Sequence, residues 1–293
     1  MTLNSHQKRI ISGLCLAAVL ATCLILGGWP LRILVCLAAL AGLWEFGQMF
    51  WPGFANLPDK IAGLTAGLLI CLLGAYEHSV PVAGGGIGVT SQIGVLGLLA
   101  FYTALRFMFR YGSAPVSPGQ TDKAEQVNFA DHALLLFAVL YLPLSLQLVL
   151  HLSLQEQMLI LLAAVGSDTG AYYTGGRFGK HKIWPRVSPK KSWEGAGGGL
   201  CAAMIILAVY APLVGIPGLE HLAFWQWGII GLLLSLAAQA GDFFESALKR
   251  SAGVKDSSNL IPGHGGLLDR LDSIVFAVPV YMFLRLICLH IAA

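Results

Sequence analysis

Charge is scarce in this sequence. Only 11% of its 293 residues are Asp, Glu, Lys or Arg, against 56% hydrophobic residues, and the mean hydropathy is +0.73. A soluble globular domain carries about 25% charged residues, so an ordinary water-facing surface is excluded. Nucleotide-binding glycine motifs are missing too. There is no GxxxxGK[ST] run and no GxGxxG at a strand–helix junction, which excludes a P-loop or a dinucleotide fold. The DDxxD pattern of prenyl transfer is absent. The six cysteines (Cys15, Cys23, Cys36, Cys71, Cys201 and Cys288) form no CxxC pair and sit in apolar runs. They read as small buried apolar side chains rather than disulfide partners or zinc ligands. The net charge of +3 says little by itself, and no nucleic-acid partner is expected.

What the chain has in quantity is apolar runs near the ~20 residues that cross a hydrocarbon core. Nine can be placed: 10–28, 31–50, 61–76, 92–109, 132–151, 156–175, 196–215, 224–245 and 271–291. The first follows Lys8-Arg9 but is long and lacks a small-residue cleavage site, so it reads as a retained span rather than a signal peptide. The 35 glycines allow close approach of helices in lipid. With the N-terminus inside, all 18 Lys and Arg except Arg32 and Arg285 fall on the inner side or at its helix ends. The expected fold is therefore all-α: a polytopic integral membrane protein of about nine transmembrane helices. Its N-terminus is cytoplasmic and its C-terminus outside, in a bacterial-type cytoplasmic (inner) membrane.

Polar chemistry concentrates in one run, SALKRSAGVKDSSNLIPGHGGLLDRLD at 246–272, preceded by GDFFE at 241–245. If 241–250 is helical, Asp242, Glu245, Ser246 and Lys249 stand at i, i+3, i+4 and i+7 on one face. Asp269 and Asp272 repeat the i, i+3 spacing at the start of the last apolar run. Between them Pro262-Gly263-His264-Gly265-Gly266 forms a turn. A solvated loop would explain the bases but not five acids at such spacing. A divalent cation would neutralise the acids, leaving Lys249, Arg250, Lys255 and Arg270 to hold phosphates. A second basic loop, RFGKHKIWPRVSPKKSWE at 177–194, lies on the same side and reads as a triphosphate or lipid-phosphate clamp. Asp168, between Ser167 and Thr169 inside the sixth run, reads as a wall of the same polar cavity. Glu45, His151 and Arg285 stand isolated near or inside spans and read as packing or interfacial residues.

The 246–272 run resembles the signature of the phosphatidate cytidylyltransferases. Ser246, Leu248, Lys249, Arg250, Lys255, Asp256, His264, Gly265, Gly266, Asp269, Arg270, Leu271 and Asp272 fill its fixed places. The resemblance extends to the Asp168–Tyr172 run, to 176–180 and to the Ser188-Pro189-Lys190-Lys191-Ser192 stretch that continues to Gly195. It implies an enzyme that joins CTP to phosphatidate, giving CDP-diacylglycerol and diphosphate in phospholipid biosynthesis, with Mg²⁺ or another divalent cation. On this resemblance Asp242, Asp269 and Asp272 are the expected metal ligands. Ser246, Lys249 and Arg270 would bind phosphoryl oxygens. Lys255, His264 and the Gly265-Gly266 backbone would close over the leaving diphosphate. Ser188, Lys190 and Lys191 would hold CTP or the lipid phosphate, with Arg250, Asp256 and Asp168 completing the substrate site.

The partners implied are CTP, phosphatidate in the bilayer and membrane lipids; a homodimer stays open. Two regions are expected: 1–155, about five spans for packing and anchoring, and 156–293, the catalytic region. The latter has four spans and cytoplasmic basic loops at 176–195 and 246–272. A CTP-dependent lipid-alcohol kinase would need a base, for which only His264 or an acid already assigned to metal stands ready. A cation-coupled transporter would use Asp168, Asp242 and Glu245 as an ion path, but no inverted repeat is visible. The topology is open to direct test. A reporter fused after Ala293 is expected to be active only outside the cytoplasm, and cytoplasmic activity would break the nine-span arrangement.

Overall fold

The structure, a computed structural model, describes residues 5–51, 57–77, 87–112, 129–261 and 265–292. Nine helical rods follow one another among these residues. They are α1 (Ser5–Leu26), α2 (Gly28–Phe50), α3 (Leu57–Glu77), α4 (Ile87–Gly112), α5, α6 (Leu154–Phe178), α7 (Trp193–Val214), α8 (Phe224–Ser251) and α9 (Leu268–Ala292). The fifth is composite. Phe129–Val139 continues through a π turn (Leu140–Leu144), one α turn (Ser145–Gln147) and a 3-10 turn (Leu148–His151). Among the described residues the β-type pairings are two isolated bridges, Lys182 with Ser192 and Ile261 with Gly265. Seven rods are long and apolar enough to cross a membrane: α2, α3, α4, α5, α7, α8 and α9. In α1 the apolar stretch, Ile10–Leu26, is shorter.

Seven of the nine apolar runs expected from the sequence lie within one rod; the first ends two residues beyond α1, at the start of α2, and the seventh one residue beyond α7. α8 continues beyond 245 through Lys249 and Arg250. It stops where Gly253 takes φ +72°, a left-handed conformation that glycine adopts without a Cβ clash. There the Val254 N–H closes back on the Lys249 carbonyl at 2.9 Å. α7 starts at Ser192, whose hydroxyl accepts the Gly195 N–H at 3.2 Å. The π turn in α5 contains Pro143, which cannot donate to the helix ladder. It presents Tyr141 to an aromatic group with Phe244 of α8 and Phe276 of α9, centroids 5.5 and 6.0 Å away.

Buried apolar side chains form two clusters. One joins α2 to α5 and reaches Leu268 and Val275 of α9, and the other joins α6 to α9. α6, α7 and α8 pack closest where side chains are smallest. A Cβ on Gly199 would lie 2.7 Å from the Ser167 carbonyl oxygen, and one on Gly231 2.6 Å from that of Ala203. Only a hydrogen fits at either contact. Beneath the polar end of this bundle, the Ser167 and Ser235 hydroxyls meet at 2.7 Å. Gln239 Nε2 donates to both and to the Ala196 carbonyl, tying the three helices together.

Three expectations are corrected here. The cysteines are all free, but Cys15 and Cys201 face outward and only Cys71 is buried; in lipid an outward thiol costs little. Trp51 and Trp227 stand near the ends of apolar runs, which from sequence places them in an interfacial aromatic belt, but both are buried in the packed clusters. Arg285 is not isolated, because its guanidinium forms an ion pair with Glu156, Nε 2.6 Å from Oε1. Glu156 is 1% exposed and also accepts from Tyr281 OH at 3.0 Å and from the Ser153 N–H at 2.8 Å. It caps α6 and at the same time anchors α9. Removing the cation should leave a charged carboxylate buried without compensation. Arg285→Leu is expected to cost about 3 kcal/mol, the low end of the range for breaking a buried pair because Arg285 is partly exposed. Thermal unfolding in detergent reads this, and an unchanged midpoint would show that Glu156 does not need the guanidinium.

Candidate active site

The polar end of the α6–α7–α8 bundle opens into a pocket of about 550 Å³. α6 supplies Asp168 and Tyr172, α8 supplies Gln239, Asp242 and Phe243, and the connection before α7 supplies Lys182, Lys190 and Lys191. This connection is a built flap rather than a free basic loop. The Ile183 N–H donates to the Lys191 carbonyl at 3.3 Å and the Trp193 N–H to the His181 carbonyl at 2.9 Å. Glu194, in the first turn of α7, accepts the backbone N–H groups of Lys180 and His181 and meets His181 Nδ1 at 2.6 Å. Trp184 then lies edge-on against Phe243, centroids 5.1 Å apart. The flap is thus hinged on α7 and rests on α8.

The pocket carries charge of both signs. Lys191 Nζ pairs with Asp242 and lies 4.2 Å from the Phe243 ring centroid. Asp168 and Asp272 stand near enough for their charges to act on Asp242 and on each other. Lys191 is thus the lysine paired with an acid here, while Lys182 and Lys190 line the same pocket and Lys182 Nζ donates to the Lys190 carbonyl at 3.2 Å. Among the described residues no three His, Cys, Asp or Glu side chains converge into a ready-made metal cage. A divalent cation of the Mg²⁺ type does not need one, since it is commonly held by one or two carboxylates together with substrate phosphate oxygens. Hard oxygen donors on Asp168 and Asp242, with Asp272 beside them, fit such an ion.

The remaining acids of the signature run belong to a second, closed cluster. Lys249 pairs with Glu245 and with Asp269, and Glu245 is fully buried. The other oxygen of Asp269 accepts the Gly266 N–H at 2.8 Å, the Ser257 N–H at 3.2 Å and the Ser257 hydroxyl at 3.1 Å. Gly265 takes φ +84°, and a Cβ there would lie 2.8 Å from that same oxygen. Both oxygens of Asp269 are thus occupied in holding the loop. Glu45 of α2 completes this clasp. It accepts the Ser258 hydroxyl at 2.5 Å and the N–H groups of Leu267 and Leu268 at 2.9 and 2.8 Å, and it shares the single proton of the Ser257 hydroxyl, 3.0 Å away, with Asp269. It is 2% exposed.

The residues picked out in the sequence therefore separate. Asp168, Lys190, Lys191 and Asp242 share the pocket, with Asp272 beside it. Ser246 sits just behind, its hydroxyl 3.5 Å from Asp242 Oδ1. Lys249, Asp269, Gly265 and Gly266 make the clasp. Lys255 and Asp256 are exposed on the loop, and Arg250 donates to the Val254 carbonyl at 3.1 Å. Ser188 meets the Lys191 N–H through its carbonyl at 3.4 Å. Arg270 points away on another face of α9 and is exposed. His264 lies outside the described residues. Sequence reasoning missed Gln239 and above all Glu45, which it read as isolated. The available signal was an acid inside an apolar run with no cation within a helical turn.

The chain resembles known proteins over nearly its whole length. The family described as the cytidylyltransferase family matches residues 7–288. The phosphatidate cytidylyltransferase of Bacillus subtilis (strain 168) is 31% identical over 284 residues, covering 95% of this chain and 97% of that protein. The phosphatidate cytidylyltransferases of Staphylococcus saprophyticus and Staphylococcus aureus (strain COL) are each 31% identical over 281 residues, 94% of this chain and 96% of theirs.

Glu45→Ala removes an acceptor that four donors share. Charge-assisted hydrogen bonds contribute about 1.5–3 kcal/mol each. Losing even one of them should raise the opening of the 253–267 loop about tenfold. Limited tryptic cleavage after the exposed Lys255, followed by mass spectrometry, is expected to accelerate by that factor. An unchanged cleavage rate would remove Glu45 from the clasp.

Proposed function

The chain belongs to the cytidylyltransferase family, and from that premise we propose that it is a phosphatidate cytidylyltransferase, joining CTP to phosphatidate to give CDP-diacylglycerol and diphosphate. The observation that carries this reading is the pocket in which Lys182, Lys190 and Lys191 face Asp168 and Asp242 at the polar end of an apolar helix bundle. A triphosphate needs cations, a divalent ion needs hard oxygen ligands, and a lipid substrate needs the pocket to stay within reach of the bilayer.

The chemistry asks little of a general base. The second pKa of a phosphate monoester is ~6, so the lipid phosphate is already largely dianionic at neutral pH. One of its oxygens attacks the α-phosphorus of CTP. The bond from that phosphorus to the bridging oxygen of the β-phosphate breaks, and the electron pair leaves with diphosphate. What the site must supply is positioning and neutralisation of two approaching anions. Lys190 and Lys191 hold phosphoryl oxygens, and Lys191 exchanges its pairing with Asp242 for one with substrate. When bound, a divalent cation screens the phosphates and stabilises the charge that develops on the leaving diphosphate. Asp242 and Asp272 are the residues that would hold it, with Asp168 beside them; Asp269 suits the clasp better than the ion. Ser246 keeps Asp242 oriented. The clasp of Lys249, Asp269 and Gly266 holds the loop that carries Lys255, which would reach toward the leaving diphosphate.

The arrangement proposed in the membrane is nine spans, with the N-terminus in the cytoplasm and the C-terminus outside. The pocket opens at the cytoplasmic face of a bacterial inner membrane, so CTP arrives from water while the acyl chains of phosphatidate stay in the leaflet. The basic flap and the signature loop, both rich in Lys and Arg, support this side.

The test is cytidylyl transfer in detergent, with labelled CTP, phosphatidate and Mg²⁺. Lipid-extractable label that appears with diphosphate and disappears with EDTA is the expected result. Phosphate transfer to a polyprenol without cytidylyl transfer would overturn the assignment. Asp242→Asn is expected to lower kcat by about 100-fold or more while the protein stays folded, as for loss of a principal electrostatic group. Lys191→Gln should lower kcat/KM by a comparable factor, and normal kinetics in either variant would remove that residue from the site.

A further inference from the structure

α9 has two working faces. Asp269 and Asp272, at i and i+3, face the clasp and the acidic pocket. Leu267, Arg270, Leu271, Ile274 and Val278, at i, i+3, i+4, i+7 and i+11, form the stripe on the opposite side. That stripe lines a second cavity, of about 170 Å³, closed by α1, by Val35 and Ala38 of α2, and by the facing ends of α5 and α6. The lining is aliphatic almost throughout. Its polar side chains are Gln157 and Arg270, and Gln157 Nε2 already donates to the Val149 and Leu152 carbonyls at 3.1 and 3.0 Å. Arg270 is the charged residue among those described in the lining, and it sits at the start of α9, where the helix meets the signature loop.

We propose that this cavity holds an acyl chain of a resident, non-reacting anionic phospholipid of the bilayer, with its phosphate held by Arg270. The inference rests on the helices lying in a membrane and does not depend on the reaction. A gap between aliphatic helices in lipid loses dispersion contacts on every wall, and a hydrocarbon chain restores them. A dry apolar cavity of about 150 Å³ already takes up a molecule the size of benzene, so this one accepts a stretch of chain rather than a whole lipid. From Arg270 to Val278 the stripe runs about 12 Å along the helix. The polar head thus falls at the guanidinium and the chain runs down into the apolar part. A planar guanidinium matches a phosphate through paired hydrogen bonds, and basic pockets between membrane helices select anionic head groups for this reason. The lipid cannot be the one that reacts in the acidic pocket, because α9 stands between them. It would act as a wedge that holds the first turns of α9, and with them Asp269 and Asp272, against α8.

The experiment uses the full chain purified in detergent and stripped of lipid. It is loaded with a phosphatidylglycerol bearing a photoactivatable group on one acyl chain, and the cross-linked peptides are mapped by mass spectrometry. Cross-links on the α2 and α9 residues of the cavity are expected. They should be about tenfold weaker with the matching phosphatidylcholine probe and in Arg270→Gln, the loss of one charge-assisted contact. Ala38→Phe, which fills the cavity, should abolish them and leave CTP binding in place. Excess phosphatidate should compete no better than unlabelled phosphatidylglycerol. Cross-links confined to other surfaces, or equal labelling by the two probes, would overturn the proposal. Strong preferential displacement by phosphatidate would overturn it too, by making this the acyl path of the substrate. The wild-type mapping stands even if a variant fails to fold.

Discussion

A carboxylate removed from water has to be answered by a cation or by several donors, and the helix arrangement of this protein is set by where its acids find them. Glu45 shows the rule most plainly. It sits in the buried part of α2 and draws four donors from a loop more than 200 residues later. Through that one group the N-terminal helices are joined to the signature loop. Glu156 does the same at the other end of the bundle, where it caps α6 with Ser153 and takes Tyr281 and Arg285 from α9. Each acid fastens α9 or the loop before it to an earlier helix.

The two acid clusters near the signature differ in how far they are answered. In the clasp, Asp269 has Lys249 on one oxygen and three donors on the other, and little remains for a ligand. In the pocket, Asp242 pairs with Lys191, and Asp168 and Asp272 stand near without an ion pair of their own among the described residues. On the proposed function, these acids on rigid helices would hold a cation, and the lysines of the flap above them would hold the phosphates. The clasp gives the loop its shape, and on the proposed function the pocket would carry the reaction. One short signature supplies both because α8 and α9 alternate their acids between two neighbouring faces.

α9 also couples the site to the lipid phase. Its acidic stripe faces the chemistry and its aliphatic stripe, headed by Arg270, faces a cavity shared with α1, α2 and α6. Packing on the second stripe bears directly on the position of the first, since a helix moves as a rod.

Much was legible in the chain itself. Scarce charge and nine apolar runs determined an all-helical membrane class, because a backbone in hydrocarbon must satisfy its own hydrogen bonds. The residue types and spacing from Asp242 to Asp272, with the Ser-Pro-Lys-Lys stretch, determined the family, since few chemistries need acids, bases and glycines in that order. The sequence could not tell which acids stay open. Asp242 and Asp269 look alike in composition, and only tertiary packing pairs one with Lys191 in a pocket and surrounds the other with backbone donors. Nor could it reveal Glu45, whose partners lie two hundred residues away. Local periodicity reports which face of a helix a side chain occupies, whereas the partner it meets there depends on how distant helices pack, and that was decided by the fold alone.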